Sequence, residues 1–189
     1  MNVLIDGLPT AVEIDGTEYT LNTDYRTCLQ IMTAFEDPEL TGFEKQTVML
    51  QLLYPIVPPD ARRASELAVK FLNCGQESTG NDSGDEDSTR YYSWSQDARY
   101  IMAAIEQAYH IDLFSADLHW WRFSYMFLDL PEECFFSRLI YLRKQKAKGK
   151  LTKEEKEWYY SMREVVDLPE IYTTEEQATI NNFMAQLGQ

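Results

Sequence analysis

Two histidines limit the proton-transfer and metal chemistry open to this chain. His110 and His119 flank Asp112 and Asp117, and imidazole with carboxylate is a donor set that divalent ions accept. The same residues have a plainer reading. Asp112 and Asp117 suit helix-start capping, and His119 beside Trp120 suits a hydrogen-bonded core histidine. The plainer reading is preferred, and neither a metal nor a cofactor is expected. Nucleophilic catalysis needs a Ser or Cys held beside a base, and no G-x-S-x-G elbow surrounds any serine. The acid pairs Glu132-Glu133, Glu154-Glu155 and Glu175-Glu176 fall at expected helix N-termini, where negative charge is favourable without any glycosidase-like role. Neither G-x-G-x-x-G nor G-x-x-x-x-G-K-[ST] occurs. We therefore expect a protein that is not an enzyme.

Charge narrows the partners. The chain has 189 residues and a formal charge of −14, with 44% hydrophobic and 25% charged residues. That hydrophobic share can build a core. The acidity disfavours a general grip on nucleic acid or an anionic membrane, because phosphate binding requires clustered Lys and Arg. The charge is uneven: −10 over residues 1–90, −5 over 91–137, +6 over 138–156 and −5 over 157–189. The basic island holds Arg143, Lys144, Lys146, Lys148 and Lys150. It reads either as a solvated helix end or as a contact patch, and in an acidic protein such a patch favours a protein partner, or a second copy of the chain, over DNA. No apolar run is long enough to span a membrane, and the N-terminal residues lack the basic and apolar parts of a secretory signal. Three widely spaced cysteines, Cys28, Cys74 and Cys134, fit a reducing cytoplasm better than a disulfide framework.

The elements that would position these groups are mostly helices. Val12, Ile14, Tyr19 and Leu21 flank Asp15-Gly16, which predicts a hairpin with a type I′ turn and Val12 opposite Tyr19. Helical spacing follows from Thr23 to Asp37-Pro38, and Thr41 with Glu44 forms a capping box for a helix that Pro55 stops. Asp60 caps a third helix carrying Ala64, Leu67, Ala68 and Phe71. Residues 75–90 are acidic and nearly devoid of apolar side chains, a linker or loop between an N-terminal part, 1–74, and an aromatic-rich helical part, 91–189; the two parts either share one core or do not. Ser93 or Ser95 should open the next helix, Asp112 or Ser115 the apolar stretch LHWWRFSYMFL, and Asp129 to Glu132 the one after. The basic island ends that helix at Gly149; Thr152 with Glu155 caps another through Val165, and Thr173 with Glu176 a last one carrying Ile180, Phe183, Met184 and Leu187. The expected fold is mainly α, an N-terminal β-hairpin packed on a bundle of about seven helices.

Aromatics take 11 of the 37 positions from Tyr91 to Phe127. With two bases against seven acids over residues 91–137, that cluster reads as core, any exposed part serving as a protein-binding face rather than a single-strand stacking platform.

One stretch is more specific. The run W-S-Q-D-A-R-Y-I-M-A-A-I-E-Q-A-Y-H-I-D-L (Trp94 to Leu113), L-H-W-W-R-F (Leu118 to Phe123), the Leu-Pro-Glu-Glu helix start, R-K-Q-K and L-T-K-E-E-K-E-W-Y together resemble the gene-product-fifteen family of phages and prophages of Gram-positive hosts. D-G-T-E-Y, T-D-Y-R and I-V-P-P-D extend the resemblance over nearly the whole chain. Its motif positions are Asp97, Tyr100, Ile101, Ile111, Asp112, Leu113, His119, Trp120, Trp121 and Phe123, read as core or partner-binding residues. No catalytic residue comes with it. The resemblance implies a place in the tail module of a long-tailed phage, beside the tail-tube and tape-measure genes, where small proteins typically act as tail assembly chaperones in the host cytoplasm. The expected partners are then the tape-measure or tail-tube protein, with a helix-in-groove mode of binding. A structural component of the virion tail and a nucleic-acid-acting phage protein are the alternatives.

Overall fold

A computed structural model describes residues 2–76, 91–169 and Thr173. Most of the acidic segment and most of the expected last helix, Ile180 to Leu187 included, lie outside the described residues. Among the described residues the chain is mainly helical, with one two-stranded antiparallel hairpin. After a single-turn helix that the sequence reading did not anticipate, α1 (Val3–Asp6), come β1 (Ala11–Ile14) and β2 (Thr17–Thr20). Asp15 and Gly16 both have positive φ, 51° and 75°, as a type I′ turn requires, and Val12 pairs with Tyr19.

Three helices of twelve residues follow: α2 (Tyr25–Glu36), α3 (Gly42–Leu53) and α4 (Ala61–Leu72). Each starts where a side chain can satisfy its first amides. Asp24 accepts from Arg26, Asp60 from Arg63, and Thr41 and Glu44 close a reciprocal capping box. Beyond the acidic segment lie α5 (Ala98–Tyr109), α6 (Trp120–Leu128), α7 (Phe135–Ala147), α8 (Lys153–Ser161) and the short α9 (Arg163–Val166).

Four boundaries differ from the sequence expectation, and for α5 and α6 the reason is that the expected caps and the chain before the helix are engaged in other hydrogen bonds. Ser93 caps a turn rather than α5: its hydroxyl accepts from the Gln96 amide at 3.2 Å and donates to Glu36 of α2 at 2.7 Å. Asp112 closes a side-chain turn, accepting from the Phe114 amide at 2.9 Å and the Ser115 hydroxyl at 2.8 Å. The start of α6 then waits for His119, because Leu118 accepts from the Tyr25 amide at 3.0 Å and the Trp120 amide donates to Thr23 at 2.7 Å, an extended bridge. Cys134, not the Asp129–Glu132 stretch, caps α7, and α8 stops at Ser161 rather than running to Val165.

One buried cluster draws on both sides of the acidic segment: Cys28, Ile31 and Leu53 from before it, Ile105, Phe123 and Phe136 from after it. Tyr25 and Phe123 stack with ring centroids 4.8 Å apart across that junction. A smaller cluster of Leu139, Leu142, Tyr159 and Val166 lies on the far side of α7, and Tyr100 packs against both.

Candidate functional site

The residues that carry the family resemblance converge on the seam between the two halves of the fold. His119 sits at the N-cap of α6, its Nδ1 accepting from the Trp121 amide at 3.0 Å. The ring proton is therefore on Nε2, which donates to the Pro9 carbonyl at 2.9 Å. Trp120 and Trp121 are buried and turn their indole N–H groups onto the end of α4, to Leu72 at 2.9 Å and Phe71 at 2.7 Å. Last-turn carbonyls have no partner within their own helix. The tandem tryptophans supply it from another element and bury two large rings doing so.

Ile111, Asp112 and Leu113 form the turn before that bridge. Leu113 is buried; its amide donates to Glu106 at 3.0 Å, and its carbonyl accepts from the Tyr25 hydroxyl at 2.7 Å and from Arg26 at 2.6 Å. Arg26 reaches two more carbonyls of the same turn, Phe114 at 3.0 Å and Ala116 at 3.2 Å. Burial, partly offset by the Arg26 charge, holds the Tyr25 hydroxyl above its ordinary pKa, so it stays a donor. The Ser115 hydroxyl and the Phe114 amide hold the exposed Asp112 carboxyl below its ordinary value. These are the contacts of an anchored turn. His110 and Asp117 stand apart on the surface, and among the described residues no three His, Cys, Asp or Glu side chains gather to hold a metal ion.

Asp97 and Ile101 lie at the start of α5, both buried. Asp97 receives Arg143 of α7 in a bidentate pair, 2.6 Å and 2.9 Å, and also the Ser93 amide at 3.0 Å. The remaining Arg143 donors go to the carbonyls of Tyr91 at 3.1 Å, Val165 at 2.9 Å and Val166 at 2.6 Å, so all five N–H groups are used. Arg143 is only 6% exposed. It departs from the expected contact patch because its position belongs to the inward stripe of α7, Phe136, Leu139, Ile140 and Arg143, at i, i+3, i+4 and i+7. That spacing was the signal for a buried, paired arginine.

The rest of the basic island divides as well. Lys146 pairs with Asp167, which also accepts from the Tyr159 hydroxyl at 2.9 Å. Burial opposes ionisation of Asp167, but these partners outweigh it and hold its carboxyl below the ordinary range. Lys144, Lys148 and Lys150 remain exposed, with the Lys144 ammonium 5.6 Å from the Tyr91 ring centroid. Lys144 is also the rim of a cleft of about 720 Å³ walled by α2, the 91–94 turn, the end of α6 and α7. Its lining is mainly apolar and aromatic, including Phe35, Tyr92, Phe127, Leu128 and Ile140. Trp94, Phe127 and Phe136 form its floor, centroids 4.7 Å and 5.7 Å apart. Leu128 on its edge is 73% exposed. Both Glu36 oxygens are occupied, by the Ser93 hydroxyl and by the Trp94 amide at 2.9 Å. Apart from Glu36 and Lys144, the lining holds no charged side chain. The sequence marked the aromatics but not which of them would stay open, because that depends on where α7 crosses α2.

Comparison with known protein families matches residues 4–168 to the family described as Bacteriophage Gp15 protein. The match covers most of the chain, and the protein belongs to that family. No curated protein and no solved structure matches.

Proposed function

We propose that this member of the bacteriophage Gp15 family is a non-enzymatic tail assembly factor, a chaperone that holds the tape-measure or tail-tube protein in the host cytoplasm while the tail is built. The observation that carries the reading is the open aromatic cleft between α2 and α7, one edge of which, Leu128, is largely in water. Contiguous exposed apolar surface of this kind is a feature of protein-binding faces, and a helical client could lay its apolar stripe there. The motif residues Leu113, Trp120 and Trp121 are engaged in holding α4, α6 and the 112–116 turn together.

Co-expression with the tape-measure protein encoded by the same phage tests this. The client should move into the soluble fraction and co-purify, and the chaperone should be missing from purified particles. Failure to form a complex with either tape-measure or tail-tube protein, with no gain in client solubility, overturns the proposal. Recovery of the chain in stoichiometric amounts from particles would favour the structural virion component instead.

A further inference from the structure

We infer that the α2–α7 cleft selects a particular client segment: an amphipathic helix whose apolar stripe is followed, one to two turns along, by aspartate or glutamate. This rests on the chaperone reading above and adds to it the chemistry of the recognised segment.

The argument comes from the wall that α7 provides. Ile140 and Lys144 both line the cleft, and Lys148 lies four residues further along the helix. Residues four apart on a helix lie near one face, so one side of α7 runs from Ile140 into Lys144 and on to Lys148, its C-cap residue, within about 80° of rotation. At about 1.5 Å per residue, the cleft passes from apolar to basic over roughly 12 Å. Glu36, on the α2 wall, is held by the Ser93 hydroxyl and the Trp94 amide and forms no ion pair with Lys144, so the ammonium stays available at the α7 end of the cleft. Among the described residues neither Lys144 nor Lys148 has a carboxylate partner, whereas Lys146, on another face, has Asp167. A segment with apolar anchors alone would leave the two ammonium groups unpaired beside it; one with carboxylates at the matching end would pair them, and a basic one would be repelled. The cleft therefore favours one charge pattern among apolar helices.

Overlapping 20-residue peptides tiling the tape-measure and tail-tube proteins of the same phage, each labelled and titrated with the full chain, test the inference. The bound peptides should share an i, i+3 or i+4, i+7 apolar stripe with Asp or Glu within the following eight residues. Replacing both Lys144 and Lys148 with Glu should weaken them about tenfold, the scale of two exposed ion pairs turned into repulsions. Raising the salt should weaken the wild type towards the same value. Leu128→Asp, at an exposed cleft position, should abolish binding without unfolding the chain. If peptides bind with no preference for acids, or with equal strength to the double Glu variant, the selection rule is wrong and the chaperone reading stands. If binding survives Leu128→Asp, the cleft is not the site. If no peptide binds the wild type, the selection rule falls, and the chaperone reading is decided by the co-expression test above. Binding of a short DNA duplex that is lost in the double Glu variant would reassign the two lysines to phosphate.

Discussion

Arg143 is the residue whose loss should cost the fold most. It is 6% exposed and gives all five donors, two to Asp97 and three to the carbonyls of Tyr91, Val165 and Val166. Replacing it with Met keeps much of the volume but leaves a buried carboxylate with one amide donor, from Ser93, and removes the guanidinium from three carbonyls. Breaking a buried ion pair from one side typically costs about 3–5 kcal/mol, a large share of the roughly 5–15 kcal/mol that holds a domain folded. For a chain of this size that is a fall in Tm of roughly 6–20 °C. Asp97→Asn should cost less, because Arg143 would keep its three carbonyl acceptors and one side-chain oxygen. Urea unfolding of both single variants and of the double variant gives the coupling directly. The double should be less destabilised than the two singles summed, by at least about 1.5 kcal/mol. Hydrogen exchange should show residues 163–167 losing protection in Arg143→Met, since the Val165 and Val166 carbonyls that tie this segment to α7 are released. A loss below about 1 kcal/mol for Arg143→Met would mean the pair is not the closed, dry arrangement described and would refute this reasoning.

Three further expectations follow from the same contacts. The Phe71 carbonyl also accepts from the Cys74 amide at 3.0 Å, whereas Leu72 among the described residues has only the Trp120 indole; Trp120→Phe should therefore destabilise more than Trp121→Phe, by about 1–3 kcal/mol in thermal or urea unfolding. Gly75 has φ of +80°, and a Cβ there would lie 2.9 Å from Trp121 Cη2, so Gly75→Ala should cost about 1–3 kcal/mol and disturb Trp121 fluorescence. Burial pushes the Tyr54 hydroxyl, which donates to Ala64 at 2.9 Å, from 10.0 up to about 12. The unfolded chain releases that proton first, so this stabilisation is complete below pH 10 and lost as pH rises through 12; Tyr54→Phe should flatten the alkaline fall in stability measured by circular dichroism. Cys28, also pushed up by burial, adds to the alkaline loss from nearer pH 9.

Much of the fold was legible where a local rule acts alone. The Asp15-Gly16 turn, the two capping boxes and the Asp60 cap each need only a few adjacent residues, and each is found where its pattern lies. The misplaced starts of α5 and α6 have a different cause. Ser93 and Asp112 are good caps that bind elsewhere, one reaching Glu36 across the fold and the other closing its own turn. His119, an uncommon cap, opens α6 because the bridge to residues 23–25 holds the preceding chain extended. The basic island was misleading for a related reason: composition counts charges, but position on the helix decides which of them turn inward or find an acidic partner. Of the five named residues, Arg143 turns inward and Lys146 pairs with Asp167, leaving Lys144, Lys148 and Lys150.

The most specific part of the resemblance, I-D-L followed by L-H-W-W-x-F, thus consists of residues whose polar atoms are mostly engaged within the fold. Two indoles and an imidazole have their N–H groups on backbone carbonyls, and Leu113 has both its amide and its carbonyl bound to side chains. Substituting any of them would act through stability first, so loss of function in such a variant would say little about where a partner binds. The informative substitutions are at exposed cleft positions such as Leu128 and Lys144, where no core contact is lost. On the chaperone reading proposed above, a motif that holds the halves together beside an open cleft would let the client vary by changes in the cleft alone. A test of that reading therefore belongs along α7 and the end of α6, and the Trp pair should be read as what holds α6 against the end of α4.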